Sequence, residues 1–179
     1  MSVGMLILRV VVGLLFIGHG TQKLFGWFGG GGPEGTSGFF GSLGYRSPRT
    51  MALVGGLTET VGGVLVLLGL LTPLGSALLI GMMVSAILSV HLDKGLWNSN
   101  GGIEFPLVMI AAATAIAFSP GRYAIDRALD LGLDGKLWGV LALSVGLLAG
   151  VAVEVTMRST AAPSIAATAD EPTEEHRAA

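Results

Sequence analysis

Four ionisable side chains stand out in an otherwise apolar sequence, because their types can move protons or bind a metal ion. They are His19, Glu59, His91 and Glu104, and each belongs to a different hydrophobic segment. If successive segments cross a membrane in alternating directions, all four lie within about 12 Å of the same membrane face, at about 1.5 Å of rise per helical residue. The sequence therefore predicts one polar site at that face, with His19, Glu59 and His91 as its candidate catalytic residues.

Two chemistries suit this set of side chains. Histidines and a carboxylate that line a wet cleft could exchange protons with a quinone or another small substrate. Two histidines and two carboxylates also match the ligand preferences of iron, zinc or manganese. Neither HxxxH nor ExxH spacing occurs in the sequence. A quinone is therefore the favoured cofactor, and a metal is the weaker alternative.

A purely structural role is the competing interpretation of the same residues. An ionisable group inside a membrane costs at least about 2.5 to 3.5 kcal/mol, so Glu59 requires a proton, a partner or water. Lys23 or Arg9 could pair with Glu59 as a buried clamp, while the histidines stay at the interface. Arg9 could otherwise snorkel to the opposite surface, and Glu154 near the end of the last segment is expected to snorkel as well.

The elements that would position these residues are membrane-spanning helices. Apolar residues make up 51% of the chain, charged residues only 12%, and the mean hydropathy is +0.74. A helix needs about 20 mainly apolar residues to cross a bilayer. The predicted fold is an all-α, polytopic membrane helical bundle over residues 1–157, with a disordered acidic tail over 158–179. Its five expected spans lie near 5–24, 51–71, 74–91, 103–119 and 137–157.

Composition also excludes several classes of function. The chain has no cysteine, which rules out disulfides, thiol redox chemistry by this chain and cysteine-ligated metal clusters. Its basic and acidic residues balance within the apolar part of the chain, so no basic surface for nucleic acid is expected. Membrane lipid is the expected partner, and any redox role requires a bound cofactor or a protein partner.

The segment 26–49, between the first two spans, is rich in glycine and aromatic residues. We expect it to fold back over the mouth of the bundle as a lid, with glycine amides free to bind an anionic or carbonyl group. It has no Walker or Rossmann pattern, which argues against nucleotide binding. Glu59 shares a helix face with Gly55 and Gly63 and should face another helix. The candidate ligand-binding residues are Gln22, Lys23, Gly26, Gly29, Gly30 and Glu104.

Three sequence motifs resemble the DoxX family of bacterial membrane proteins. They are HGTQKLFGWFGGGGPEGTSGFF, GGLTETVGGVLVLLGLLTP and FSPGRYAIDR, and the resemblance covers roughly residues 5–128. It implies a compact four-helix membrane bundle, a fold shared with the small membrane subunit of thiosulfate:quinone oxidoreductases. This chain would add a fifth, C-terminal span to that four-helix core. The positions that match the family motifs are His19, Gln22, Lys23, Gly26, Glu59, Gly62 and Gly63.

The resemblance leaves three functional hypotheses open. The first is a subunit of a redox or sulfur-oxidising assembly in the bacterial cytoplasmic (inner) membrane, with a quinone under the glycine and aromatic loop. In it His19 and Glu59 would move protons, and Lys23 would orient the ligand. The second is a non-enzymatic membrane anchor for soluble antioxidant enzymes. The third is a small-solute transporter, which the lack of an inverted repeat disfavours.

Overall fold

The computed structural model describes residues 2–158 and shows a bundle of helices, as predicted. Four helical segments are long and apolar enough to cross a membrane: Val3–Phe25, Pro48–Leu68, Thr72–Lys94 and Lys136–Met157. The helices in chain order are α1 (Ser2–Phe25), α2 (Gly32–Ser42), α3 (Pro48–Leu68), α4 (Thr72–Ala86), α5 (Glu104–Phe118), α6 (Ile125–Ala128) and α7 (Lys136–Met157). The predicted tail lies outside the described residues, apart from Arg158.

The span predicted at 103–119 is the least clear of the five. Its helix, α5, has 15 residues, which gives about 22 Å at 1.5 Å per residue, short of the roughly 30 Å hydrocarbon core. The C-terminal span that the sequence places at 137–157 corresponds to α7, which is 22 residues long. The structure therefore supports four spans directly and leaves α5 as a short helix packed against α4 and α7.

Prolines and glycines set the helix bounds as the sequence suggests. Pro33, Pro48 and Pro73 each lie in the first turn of a helix, where a missing amide hydrogen costs nothing. Gly69 ends α3 in the left-handed region, at φ 67°, which glycine adopts without steric penalty. The next helix begins only three residues later at Thr72, so α3 and α4 form a tight antiparallel hairpin.

Glycines bring α1 and α3 into close backbone contact. A Cβ atom built on Gly20 would lie 2.7 Å from the Gly56 carbonyl oxygen. A Cβ atom built on Gly13 would lie 2.8 Å from the Gly63 carbonyl oxygen. Such distances are shorter than real Cβ contacts, so these positions accept only a hydrogen side chain. Small residues allow this approach in membrane helices, where van der Waals packing drives association. The close approach fixes which α1 residues can reach Glu59.

Alanine at these glycines is expected to destabilise the bundle. Gly13→Ala and Gly20→Ala should each lower the free energy of unfolding by about 1 to 3 kcal/mol, because α1 and α3 would have to separate. Gly18→Ala is the matched control on the same helix, since no atom lies within 4 Å of its added methyl group; it should change stability by less than about 0.5 kcal/mol. Denaturant titration in mixed micelles measures all three. Equal stability of Gly18→Ala and Gly20→Ala would contradict the close packing.

Helix α4 is the central element of the bundle and packs against α3, α5 and α7. Gly146 and Gly150 of α7 lie directly on Ile80 and Val84 of α4, so this glycine pair has a packing role. The core around α4 consists of Val12, Phe16, Val66, Leu79, Ile80, Met83, Val84, Ala113 and Ile116. Beyond Ala86 the helix continues as a π-helical turn that ends at His91.

Arg9 is buried at the end of the bundle where α3 terminates, with 1% of its surface exposed. Its guanidinium donates hydrogen bonds to the carbonyl oxygens of Val66 (3.1 Å), Leu67 (3.1 Å), Pro120 (2.9 Å) and Tyr123 (3.3 Å). The prediction that Arg9 snorkels or leans toward Glu59 is therefore wrong. The last carbonyls of a helix have no partner within the helix, and Arg9 satisfies those of α3.

Asp126 of α6 complements Arg9 at the same junction. Its carboxylate accepts hydrogen bonds from the amides of Leu71 (2.7 Å) and Thr72 (2.8 Å) and from the Thr72 hydroxyl (2.5 Å). These are the first free amides of α4, which favour a negative partner. The amide of Asp126 in turn donates to the Gly69 carbonyl at 2.8 Å. The segment FSPGRYAIDR thus links α1, α3 and α4 through two buried charges.

Candidate functional site

The Lys23–Glu59 pair is the charged centre that the sequence predicted between α1 and α3. Lys23 Nζ lies 2.6 Å from Glu59 Oε1. Glu59 is 3% exposed, and its Oε2 is buried without a hydrogen-bond partner, whereas Lys23 keeps about a quarter of its side chain exposed. The glycine contacts bring the two backbones close enough for Lys23, near the end of α1, to reach Glu59 in the middle of α3. This geometry matches the clamp interpretation and leaves one carboxylate oxygen free.

The glycine-rich segment after α1 folds back over the end of that helix. Gly26 and Gly29 adopt left-handed backbone angles, at φ 71° and 77°, and reverse the chain twice within four residues. Gly30 then packs on Gln22, with room for no side chain, because a Cβ atom there would lie 2.6 Å from the Gln22 Cα. Gln22 Nε2 donates to the Phe28 carbonyl at 3.3 Å. Four of the predicted ligand-binding residues, Gln22, Gly26, Gly29 and Gly30, therefore form the turn itself.

Helix α2 follows this turn and packs on α3 and α1. The sequence predicts a short amphipathic element over the mouth of the bundle, and α2 occupies that position. Phe40 points inward and is buried, with its ring in edge-to-face contact with the Tyr45 ring at 5.0 Å between centroids. Ala52 of α3 completes this small cluster.

The histidines and Glu104 are placed apart from the Lys23–Glu59 pair. His19 lies on the exposed outer face of α1. His91 Nδ1 lies 2.6 Å from the Gly101 carbonyl, and Glu104 Oε2 accepts a hydrogen bond from the Asn98 amide at 2.9 Å. Within residues 2–158, hydrogen bonds or ion pairs do not connect either histidine to Glu59, and no group of three or more His, Asp or Glu could hold a metal ion.

A second buried polar cluster lies between the α2–α3 turn, α4 and α7. Both the Tyr45 hydroxyl and the Ser85 hydroxyl donate to Glu154 Oε1, the latter at 2.5 Å. Arg158 Nη1 lies 3.5 Å from Glu154 Oε2 and donates to the Leu88 carbonyl at 3.3 Å. Glu154 is buried, so the prediction that it snorkels is wrong. Two hydroxyl donors and a guanidinium stabilise its carboxylate inside the bundle.

Tyr45 remains a hydrogen-bond donor in this cluster. Burial raises the pKa of its phenol, and the hydrogen bond and negative charge of Glu154 raise that pKa further. An unperturbed tyrosine already titrates near pH 10, so the Tyr45 phenol keeps its proton at neutral pH. Only the spacing of Glu154 and Arg158, four residues apart, hinted at this cluster in the sequence. Tyr45 and Ser85 carried no comparable signal.

An apolar groove of about 210 Å³ lies directly beside this cluster, between α2, α3, α4 and α7. Its walls are almost entirely aliphatic, and the hydroxyl-bearing residues among them are Thr58 and Ser85. Ser85 lines the groove and also donates a hydrogen bond to Glu154. Val54 and Val145 line the groove and are also exposed on the outer surface of membrane-spanning helices. The groove therefore opens toward the lipid.

The chain has clear relatives among known proteins. The family model described as DoxX matches residues 4–92. A protein of Bacillus subtilis strain 168 named "Putative oxidoreductase CatD" is 35% identical over 126 residues, which cover 70% of this chain and 86% of that protein. The "Uncharacterized membrane protein Rv3486" of Mycobacterium tuberculosis H37Rv is 33% identical over 134 residues, covering 69% and 79% respectively. No solved structure matches the chain. With its apolar helices and its long match to both relatives, the chain is a membrane protein of the DoxX family.

Proposed function

We propose that this protein binds a lipid-soluble ligand of the quinone and quinol class and serves as the membrane subunit of a redox assembly in the bacterial inner membrane. One observation carries the proposal: the apolar groove ends at Ser85, whose hydroxyl is hydrogen-bonded to a buried carboxylate. Binding sites for small molecules combine mostly apolar walls with a few fixed polar groups. This groove has that composition.

The size and opening of the groove support a ring-shaped ligand from the membrane. An apolar cavity of about 150 Å³ can hold benzene, so 210 Å³ can accommodate one substituted ring. The opening toward lipid lets an isoprenoid tail remain in the bilayer while the ring reaches Ser85. Phe40 of α2 forms part of the wall. The proposed ligand thus lies under the glycine and aromatic segment, as the sequence suggested, but on a different face of α3 from Glu59.

The redox part of the proposal draws on a relative. CatD is named "Putative oxidoreductase", and a quinone or quinol is an electron carrier that dissolves in the bilayer. Because the chain has no cysteine, electrons would have to come from a bound cofactor or a partner protein. The proton-handling roles of His19, Glu59 and His91 stay predictions within this proposal. In the anchor alternative the protein would hold soluble partners and bind no such ligand.

Filling the groove should abolish ligand binding. Ala149 lies in the groove wall on α7, and Ala149→Phe places a ring where the ligand would lie. We expect it to weaken binding of a short-chain ubiquinone analogue by at least about tenfold, since lost groove contacts of about 1.4 kcal/mol have that effect. Equilibrium dialysis of the detergent-purified protein measures the affinity, and mass spectrometry of lipid extracts measures co-purifying quinone.

Ala152→Phe is the matched control. Ala152 is also exposed on α7, three residues further on, but it does not line the groove. This variant should bind the analogue as the unsubstituted protein does. Equal binding by both phenylalanine variants would place the ligand elsewhere. A protein that neither retains quinone nor binds the analogue, yet co-purifies with soluble enzymes, would support the anchor alternative.

A further inference from the structure

The direction of the hydrogen bonds around Glu154 determines what the groove can offer a ligand. A hydroxyl group has one proton to donate and two lone pairs that accept. The Tyr45 and Ser85 hydroxyls both donate their proton to the same atom, Glu154 Oε1. Neither hydroxyl therefore has a proton left for a ligand. At the end of the groove Ser85 can only accept a hydrogen bond.

The remaining contacts of Glu154 hold this arrangement in place. Arg158 lies on the side of Glu154 Oε2, at 3.5 Å, and forms an ion pair with it. A carboxylate can accept hydrogen bonds but cannot donate one. As long as Glu154 is a carboxylate, it draws the protons of both hydroxyls toward itself. The Tyr45 phenol is protonated at neutral pH, as shown above, so it cannot reverse the direction either.

From this geometry we infer that the groove selects a ligand that donates a hydrogen bond, namely the hydroxyl-bearing quinol or phenol form, over the carbonyl-bearing quinone form. The inference rests on the proposed function and specifies its ligand. A quinone oxygen next to Ser85 would face the lone pairs of the serine oxygen and could form no hydrogen bond with it. A quinol hydroxyl at the same place donates to Ser85 and keeps its hydrogen bonding complete.

Thr58, on the opposite wall of the groove, does not reverse this preference. Its hydroxyl can donate or accept, so it serves either form of the ligand equally well. The discrimination therefore depends on Ser85 and on the carboxylate that orients it. In this account Glu154 is a positioning residue, because it acts on the ligand through Ser85.

The test compares the two redox forms of one ligand on the purified full chain in detergent. Binding of a short-chain ubiquinone analogue and of its quinol, kept reduced under anaerobic conditions, is measured by isothermal titration calorimetry. We expect the quinol to bind about tenfold more tightly than the quinone. This ratio is the one expected if the quinol forms a hydrogen bond with Ser85 that the quinone cannot form. Equal affinities, or tighter binding of the quinone, would overturn the inference and leave the proposed function intact. Binding of neither form would overturn both.

Three variants identify the source of the discrimination. Ser85→Ala removes the acceptor and should bring the two affinities together. Glu154→Gln replaces one carboxylate oxygen with an amide that can donate to Ser85, which frees the serine proton for the ligand; the preference should shift toward the quinone. Thr58→Val is the control and should leave the ratio unchanged. A ratio that survives Ser85→Ala would overturn the assignment to Ser85. The comparison on the unsubstituted chain stands even if a variant fails to fold.

Discussion

Arg9→Met is expected to destabilise the folded protein by about 3 to 5 kcal/mol, the range for a buried charge network that loses one member. The guanidinium donates to four carbonyl oxygens and is almost fully buried. Methionine fills similar space but takes the side-chain donor away from all four oxygens, of which that of Val66 still accepts a hydrogen bond from the Gly69 amide. It also removes the positive charge that interacts with Asp126 across the α3–α4 junction. The bundle would lose the hydrogen bonds that join α1 to the end of α3 and to the segment between α5 and α6.

Unfolding of each variant in mixed micelles, followed by far-ultraviolet circular dichroism, measures this loss. Arg127→Met is the control, since Arg127 is exposed and pairs with Asp134 at the surface; such pairs contribute at most about 1 kcal/mol. Arg9→Lys should fall between the two, because an ammonium has three donors and lacks the planar fork of the guanidinium. If Arg9→Met were as stable as Arg127→Met, the hydrogen bonds to the helix end would not be the main source of stability there.

The fold could be predicted from the sequence because hydropathy and helix length determine it locally. Apolar runs of about 20 residues specify spans, and proline and glycine at positions such as Pro73 and Gly69 specify where the chain reverses. The α5 segment is the instructive exception. The sequence places this span at 103–119, and the helix runs from Glu104 to Phe118. The bounds were therefore predicted to within one residue, and only the crossing of the membrane by so short a helix stays unsupported.

For the candidate site, the sequence could predict only how deep in the membrane each residue lies. Counting residues from the span ends places a residue at a height in the membrane, but says nothing about which way it faces around the helix. His19 has the right depth yet lies on the outer face of α1. Lys23, one turn further on, reaches Glu59 of α3 where glycines bring the two helices close. The sequence offered both Lys23 and Arg9 as partners of Glu59, and the packing of α1 on α3 selects Lys23.

Arg9 and Glu154 show why charged residues in spans were misjudged. Snorkelling is the expected behaviour of a charge on an isolated helix that has only lipid around it. In a bundle, the free carbonyls of a neighbouring helix end and the hydroxyls of a neighbouring turn are closer than the surface. Arg9 donates to the carbonyls at the end of α3, and Glu154 accepts hydrogen bonds from hydroxyls such as that of Ser85 in α4. The carbonyl partners of Arg9 and the hydroxyl partners of Glu154 lie 57 or more residues away in sequence, where no local pattern can indicate them.

Neighbouring residues of α3 separate the two candidate sites. Glu59 faces α1 and pairs with Lys23, whereas Thr58 lines the apolar groove. Successive residues of a helix point about 100° apart, so the charged pair and the groove lie on different faces of the same helix. The clamp and the groove can therefore be tested independently.

A double-variant cycle decides whether Glu59 is a structural clamp or a proton carrier. Lys23→Met should lower the free energy of unfolding by about 3 to 5 kcal/mol, because it leaves a buried carboxylate without a partner. Glu59→Met should cost about 1 kcal/mol, since Lys23 is partly exposed and its ammonium can reach water along the flexible stem. The double variant should recover to within about 1 kcal/mol of the unsubstituted protein, as buried ion pairs replaced by apolar residues often do. Unfolding in mixed micelles gives all four stabilities.

The folded double variant then separates structure from function. If Lys23 and Glu59 only hold α1 on α3, this variant should bind the ubiquinone analogue and its quinol with unchanged affinities, and should support any turnover of the assembly that the unsubstituted protein supports. Intact folding with lost turnover would instead assign Glu59 the proton-carrying role that the sequence predicts. If Lys23→Met were as mild as Glu59→Met, the clamp would be contradicted, because a carboxylate buried this deeply tolerates the loss of its cation only if a proton, water or another donor replaces it.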